Sequence, residues 1–389
     1  MLIFFAAFGF LLMATHPFVT YPLSLRLLKP RRGEAQAASA APASATLCLC
    51  AYREGAVIAA KARNMLAMRD ASPIPLELLV YVDGEEDDTA QQLAAFGPAI
   101  TVVPSPTRHG KSHGMRRLAE MARGEILVFT DANVMIDPGA MAALARHFAD
   151  PRIGCVCGHL TYGNGAASDT SAVNSAYWRL EEEIKRLESG MGAVMGADGS
   201  LFAVRRRLAP AVPDDIIDDF YVSLTILCDG HDVIRAEDVR AREESVVDRG
   251  EEYRRKIRIA CQSFNVHRLL WPRLRRLPAL RLYAYLSHKL LRWFVAPALL
   301  AAAACAALGL ALLLGAVPAA LLLAVAAALG LGALALGIGP ARRGYEIWLA
   351  FWGTWLGVLR SLRGERFQTW TPAQSIRLPV SAAAEEQRG

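Results

Sequence analysis

At the end of the stretch Gly124–Asn133, GEILVFTDAN, Asp131 and Asn133 stand two residues apart. Two oxygen-bearing side chains at that spacing can share one hard cation, Mg²⁺ or Mn²⁺, which could bridge the phosphates of a nucleotide. The competing reading of Asp131 is a cap for a helix starting near Asp137, because Asp is a common N-cap. Further charged groups could join the same chemistry. Asp83 closes an apolar run in VDGEEDDT, Asp218 and Asp219 open a helical pattern, and Arg255 and Arg258 lie on a basic segment. A carboxylate can take a proton from a hydroxyl, and cations can stabilise an anionic leaving group. Each group also has a plain structural explanation: a turn at Asp83–Gly84, an N-cap at Asp219, a turn at Asp198, a solvated helix residue at Lys111, and a lipid-facing patch at Arg254–Arg258.

The elements that must hold these groups follow from the patterning. Thr46–Ala51, Leu76–Val82, Ile100–Val103 and Ile126–Thr130 read as strands, the last an almost wholly apolar run of the kind buried on both faces. Between them lie helical patterns from about Glu54 to Arg69, from near Asp87, and over roughly Lys111–Arg123. Such alternation predicts an α/β fold with a mixed, mainly parallel sheet. Asp131 then falls at the carboxyl end of a central strand, where such sheets bind ligands. No GxGxxG fingerprint follows the first strand. Further on, Ser171–Ser189 reads as a helix with Glu181–Lys185 and Glu182–Arg186 at i,i+4 spacing. Gly192–Val204 is a glycine-punctuated pair of short apolar runs, Asp214–Gly230 contains a helix opening at Asp218, and Glu251–Trp271 is a basic helix.

The chain of 389 residues is 53% hydrophobic, and the excess sits at its two ends. That predicts membrane segments around a soluble middle. Residues 1–28 read as a retained transmembrane anchor with a Pro kink, followed by Arg26, Lys29, Arg31 and Arg32, which place that end in the cytoplasm. A cleaved signal peptide is the rival, without a positive charge ahead of its apolar run. Residues 29–45 read as a linker, 46–276 as the cytoplasmic catalytic domain, 277–293 as an interfacial helix, 294–362 as C-terminal membrane or membrane-associated helices, and 363–389 as a tail. Phe294–Leu314 and Ala319–Ile338 are long enough to span, while Tyr345–Val358 is shorter and either re-enters or lies in the interface. A net charge of +6 with Arg clusters beside apolar segments points to anionic lipid as a partner and not to nucleic acid. The seven cysteines form no disulfide framework or zinc pattern; Cys48/Cys50 and Cys155/Cys157 read as small buried strand residues in a reducing compartment.

A carboxylate near base and ribose, a metal site, a second carboxylate as base, and cations for a diphosphate are what an enzyme moving a sugar off a nucleotide needs. In these motifs the chain resembles a membrane-embedded family 2 glycosyltransferase of GT-A fold, the inverting group that includes cellulose, chitin and hyaluronan synthases. The likeness covers roughly Thr46–Trp293. Ala51-Tyr52-Arg53-Glu54 resembles the family's P-x-Y-N-E turn, with Ala for Pro and Arg for Asn, which implies that Ala51, Tyr52 and Glu54 lie against the donor. VDGEEDDT resembles D-G-S-x-D-x-T and implies a uracil or ribose role for Asp83. Arg108-His109-Gly110-Lys111 resembles the G-K-x-x-A-L segment and implies that Lys111 lies near the donor. FTDANV resembles the D-x-D motif, implying Asp131 and Asn133 as metal ligands, with Asn133 supplying only a neutral oxygen.

Gly196-Ala197-Asp198-Gly199 falls where the family has its acceptor-side loop, and Asp218–Asp219 at its E/T-D motif, which implies Asp219 as the base with Asp218 beside the acceptor. Arg255-Lys256-Ile257-Arg258-Ile259 is the nearest match to Q-x-x-R-W, with Arg255 and Arg258 facing the diphosphate and no Trp to stack under an acceptor sugar. The resemblance implies transfer of a hexose or N-acetylhexosamine from a UDP-sugar to a lipid-linked or polysaccharide acceptor at the cytoplasmic face of an inner membrane. The alternatives are a processive polysaccharide synthase and a non-catalytic, nucleotide-sugar-binding membrane scaffold.

Overall fold

The computed structural model describes residues 1–28, 41–162, 169–243 and 249–369. Most of the expected linker and most of the tail lie outside them. Among the described residues eight strands form one sheet: β1 (Ala45–Ala51), β2 (Leu76–Asp83), β3 (Thr101–Ser105), β4 (Ile126–Thr130), β5 (Met135–Ile136), β6 (Ile153–Tyr162), β7 (Leu201–Arg205) and β8 (Asp232–Glu243). Their order is β3-β2-β1-β4-β7-β6-β8-β5. The half from β3 to β4 is parallel, β7 runs antiparallel to both β4 and β6, and β8 runs parallel to β6. β1 and β4 are buried along their whole length, as their continuous apolar runs require. Alternate residues feed two cores. Leu47, Leu49, Val128, Met65 and Phe148 pack on one face, and Cys48, Cys50, Phe129, Phe202 and Leu118 on the other. The cysteines are free thiols in that packing.

Several boundaries differ from the sequence reading, each for a physical reason. The helix expected from Glu54 spans Ile58–Ala71, because Arg53 takes a left-handed φ of 53° and residues 54–57 complete a turn first. The third strand runs on to Ser105 through Pro104, which an edge position tolerates. No helix starts at Asp137; it spans Ala140–His147, and Asp131 instead opens a turn in which its carbonyl accepts from Val134 N–H at 3.4 Å. The i,i+4 pairs expected in the helix Asp169–Ser189 do not form, since their carboxylates find distant partners. Glu182 pairs with Arg235, while Glu181 takes His288 Nε2 at 2.9 Å and Arg292. Glu188 accepts from Tyr21 Oη at 2.6 Å and lies 2.7 Å from His288 Nδ1. This buried network ties Thr20–Leu27 and a π-helical turn, Leu286–Leu290, to the helix Asp169–Ser189.

Among the described residues two helices, Val295–Leu314 and Ala316–Ala335, are long and apolar enough to cross a membrane. Leu2–Thr15 and Thr20–Leu27 pass the same test only as a pair, bent by 64°. The third C-terminal helix is longer than expected, Gly339–Leu362, and packs along the basic helix Arg249–Leu274. A Cβ at Gly357 would lie 2.6 Å from the Ile257 carbonyl, and Ser361 Oγ donates to Asn265 at 2.6 Å. Gly353, Gly357 and Ser361 of this helix therefore serve a close contact with the basic helix.

Candidate active site

β2 and β3 extend the sheet to one side of β1, and β4 returns to the other. The crevice at the carboxyl ends of β1 and β4 is thus a topological switch point, the place where open α/β sheets bind ligands. Ala51 ends β1 and is buried, as is Glu54, whose N–H donates to Thr89 Oγ1 at 2.9 Å. Between them Tyr52 carries the Arg108 guanidinium on its ring at 3.7 Å and donates to Glu86 at 2.9 Å. The left-handed Arg53 explains why the resembling motif has Asn there, a residue that tolerates φ > 0.

Asp83, fully buried at the end of β2, accepts from His109 N–H at 2.6 Å and Gly110 N–H at 2.9 Å. It thereby anchors the loop that launches the helix Lys111–Met121. Gly110 has φ +99°, and a Cβ there would sit 2.0 Å from the Gln368 carbonyl, so only glycine fits. Gln368 also donates to the His109 carbonyl at 3.2 Å, while Arg366 pairs with Asp215 at 2.6 Å. The segment after the last helix, read from sequence as part of a tail, therefore lies across the mouth of the crevice.

Lys111 points back under β4 and pairs with Asp131 Oδ1 at 2.7 Å. Burial would lower its ammonium, but Asp131, Asp218 and Asp219 outweigh burial and raise it. The helix Asp218–Cys228 brings the other two carboxylates to the same spot through its first turn. Asp218 is buried, and its Oδ2 has no hydrogen-bond partner among the described residues. Asp219 accepts from Phe220 N–H at 2.6 Å. Burial and then the charge of Asp218 push the Asp219 carboxyl up to about 7, with Lys111 opposing.

β7 is antiparallel to β4, with Leu201 opposite Thr130, so the loop ahead of it reaches the same edge of the sheet. Ala197 N–H donates to Ser223 Oγ at 3.0 Å, fixing this loop, with Gly196, to the helix of Asp219. Asp198 accepts from Ser200 N–H at 3.1 Å; burial would raise its carboxyl, but Lys185 and Ser200 hold it below its ordinary value. At Gly199 a Cβ would lie 2.8 Å from Asp219 Oδ2 and 3.3 Å from Lys111 Nζ. Gly199→Ala should therefore displace the Asp219 carboxylate without unfolding the chain. We expect turnover to fall by about 10²-fold at nearly unchanged melting temperature. A variant as active as the parent would show that Asp219 need not sit where it does.

The helix Arg249–Leu274 closes the site from the side on which Gly339–Leu362 packs. Arg258 donates to Gln262 at 3.4 Å; burial and Arg255 lower its guanidinium, against the charges of Asp131 and Asp219. Arg255 acts on Asp198 and Glu243 as well. The sequence reading missed Glu243. It ends β8, which runs parallel to β6 and so delivers its last residue to the same edge as Asp131. Glu243 accepts from Asn133 Nδ2 at 2.9 Å and Ser200 Oγ at 3.2 Å. Burial and then Asp131 push its carboxyl up to about 7. In the sequence it looks like one charge of a polar run, and only the sheet order gives it away.

The structure thus gathers Lys111, Asp131, Asp198, Asp218, Asp219, Arg255, Arg258 and Glu243 around one crevice. Asp83 lies behind it, and Asn133 is turned toward Glu243. Carboxylate and amide oxygens of Asp131 and Asn133 suit Mg²⁺ or Mn²⁺, because with its nitrogen bound to Glu243 the Asn133 amide keeps its oxygen for a cation. Among the described residues no three His, Cys, Asp or Glu side chains form a metal cluster by themselves. A cation here would share its coordination with a ligand's own oxygens.

Comparison with known proteins agrees with this geometry. Residues 46–211 match the Glycosyl transferase family 2 model. An N-acetylglucosaminyltransferase of Rhizobium meliloti is 29% identical over 147 residues, covering 36% of this chain and 34% of the relative. An uncharacterised protein of Mycobacterium tuberculosis is 29% identical over 110 residues, 28% of this chain and 34% of that protein. The chain spans about a third of the length of these curated relatives. The mannosyltransferase PcManGT from Pyrobaculum calidifontis, solved with GDP-Man and Mn²⁺, superposes with a TM-score of 0.69 at 24% identity, covering 93% of this chain and 99% of that one. That likeness shows the fold. Residues 46–211 are thus a glycosyl transferase family 2 domain, a glycosyltransferase domain of GT-A fold in a chain with two helices able to cross a membrane.

Proposed function

We propose that this chain is an inverting glycosyltransferase. It moves a hexose or N-acetylhexosamine from a UDP-sugar to a lipid-linked or polysaccharide acceptor at the cytoplasmic face of the inner membrane. Asp219 carries this reading: a carboxylate pushed up to about 7 is poised to take a proton near neutral pH. It faces the Gly196–Gly199 loop, where an acceptor hydroxyl would enter, and stands close to Lys111 and Asp131 on the donor side. As the hydroxyl loses its proton to Asp219, its oxygen attacks the anomeric carbon opposite the departing diphosphate, which inverts that centre. Arg258 and Arg255 meet the negative charge left on UDP, and Lys111 holds Asp131 in place. A divalent cation held by Asp131 and Asn133 supplies further neutralisation of the diphosphate when bound. Tyr52 under Arg108 offers a flat wall for the base, and Asp83 fixes the loop beside it.

An acceptor carried on lipid fits the approach to this site. Lys289, on the π-helical turn leading into the first C-terminal span, reaches over the Phe220 ring at 5.9 Å, one residue from the base. The acceptor side therefore lies beside the turn that leads into the apolar C-terminal helices. Ile259 stands where the synthases' stacking Trp would follow Arg258, which favours single addition over chain growth. The test is a panel of UDP-sugars, with GDP-mannose alongside, assayed with the full-length protein and Mn²⁺. We expect UDP release from at least one donor and, with membrane lipid extract present, one product larger by a single sugar. Turnover of GDP-mannose alone would overturn the nucleotide assignment, a ladder of products would favour a synthase, and no release from any donor would favour an inert scaffold.

A further inference from the structure

The helix Ile58–Ala71 lies behind the turn that carries Asp131 and Asn133, and two of its side chains reach through to that turn. Lys61 is fully buried, and its ammonium donates to Thr130 Oγ1 at 3.2 Å and to the Val134 carbonyl at 2.5 Å. Asn64, one helical turn on, donates from Nδ2 to the Ile136 carbonyl at 2.7 Å and accepts from Ile136 N–H at 3.0 Å. Thr130 in turn donates to the Ser200 carbonyl at 3.0 Å, which links the same clamp to the acceptor-side loop. The bonds bracket Asp131 and Asn133 on both sides and touch neither side chain.

A packing role alone does not explain Lys61. Burying an ammonium is costly, and an apolar side chain of its length would fill the space without that cost. Asn64 needs no charge to make its two bonds, so the helix could have anchored this strand without a lysine. Lys61 Nζ lies under the turn expected to face a diphosphate; burial pushes its amine down to about 7, with Asp131 opposing. Side chains that orient ligating groups from behind commonly change metal affinity by about 10–100-fold when removed.

We propose that Lys61 and Asn64 are positioning residues that set the Asp131–Asn133 turn for the donor's diphosphate and its divalent cation. The metal half of this statement rests on the function proposed above; the clamp itself does not. Lys61 supplies two bonds, to Thr130 and Val134, and Asn64 sets the exit of the turn into β5. Neither residue touches the reacting atoms.

Lys61→Met in the full-length protein separates this role from simple packing, because Met keeps the stem and removes the amine that bonds Thr130 and Val134. We expect a melting temperature equal to or above that of the parent. Amide exchange across residues 131–136 of the metal-free protein should speed up at least about tenfold, with the rest of the sheet unchanged. Mn²⁺ binding in the presence of UDP, read by electron paramagnetic resonance, should weaken by about 10–100-fold. Asn64→Ala serves as the second variant, and if Lys61→Met does not fold, it decides by the same exchange and binding measurements. Exchange and Mn²⁺–UDP affinity within twofold of the parent would overturn the proposal. If the parent binds UDP with no Mn²⁺ at all, the metal reading fails, and exchange across the turn together with UDP affinity decides the clamp on its own.

Discussion

Asp219→Asn is expected to abolish sugar transfer while leaving UDP binding close to that of the parent. Asn is nearly isosteric and its amide oxygen can keep the bond from Phe220 N–H, so the first turn of Asp218–Cys228 should stay in place. What is lost is a group able to accept a proton, a loss worth about 10²–10⁴-fold for a general base. The variant also removes a negative charge that faces Lys111 and Arg258, so the site becomes no less hospitable to an anionic nucleotide. Loss of UDP binding in this variant would sink the assignment of Asp219 as base.

The pH profile gives the same residue a second test. Burial and Asp218 raise the Asp219 carboxyl to about 7, so it is protonated, and useless as a base, below that pH. kcat/KM should therefore rise tenfold per pH unit on the acid side and level off above about 7. Glu243 is raised to about 7 as well, and Glu243→Gln distinguishes the two. The inflection should persist in Glu243→Gln if Asp219 is the base, whereas its disappearance would assign the titration to Glu243.

Local physics made part of this site readable from the chain alone. Ile126–Thr130 had to be a doubly buried strand because it has no polar face, and its carboxyl end then had to deliver Asp131 to the crevice. The start of the helix at Asp218 was legible for a similar reason, since two carboxylates suit the positive end of a helix. The residues that escaped notice depend on long-range placement. Glu243 reaches the site only because β7 reverses direction between two parallel sets, a fact with no local signature. Lys61 looks like a solvated helix residue until the helix is seen to turn that side inward. Glu181 and Glu182 had i,i+4 partners in reach, yet the ammonium and guanidinium groups of other elements claimed them, and burial makes such pairs stronger than exposed helical ones. Gln368 follows a helix that resembles a membrane segment in sequence, and it lies back against His109 at the mouth of the crevice.

Asp131→Asn should have the second large effect, and its signature differs from that of the base. Asp131 is the one carboxylate of the Asp131–Asn133 pair, so the parent should bind Mn²⁺ weakly alone and much more tightly once UDP adds its phosphate oxygens. Equal affinity with and without UDP would contradict that expectation. In Asp131→Asn the UDP-dependent site loses its only charged protein ligand, and transfer should drop by more than about 10²-fold, since a bound metal is worth several kcal/mol to such a reaction. Lys111 loses its 2.7 Å partner at the same time and is left facing Asp218 and Asp219. Its ammonium then favours the ionised form of Asp219 more strongly, so the acid-side inflection of whatever activity remains should move below about 7. A variant that lost metal binding with its inflection unmoved would mean that Lys111 does not couple the donor carboxylate to the base. A shift to lower pH would show that one lysine, at the start of one helix, links the two halves of the reaction.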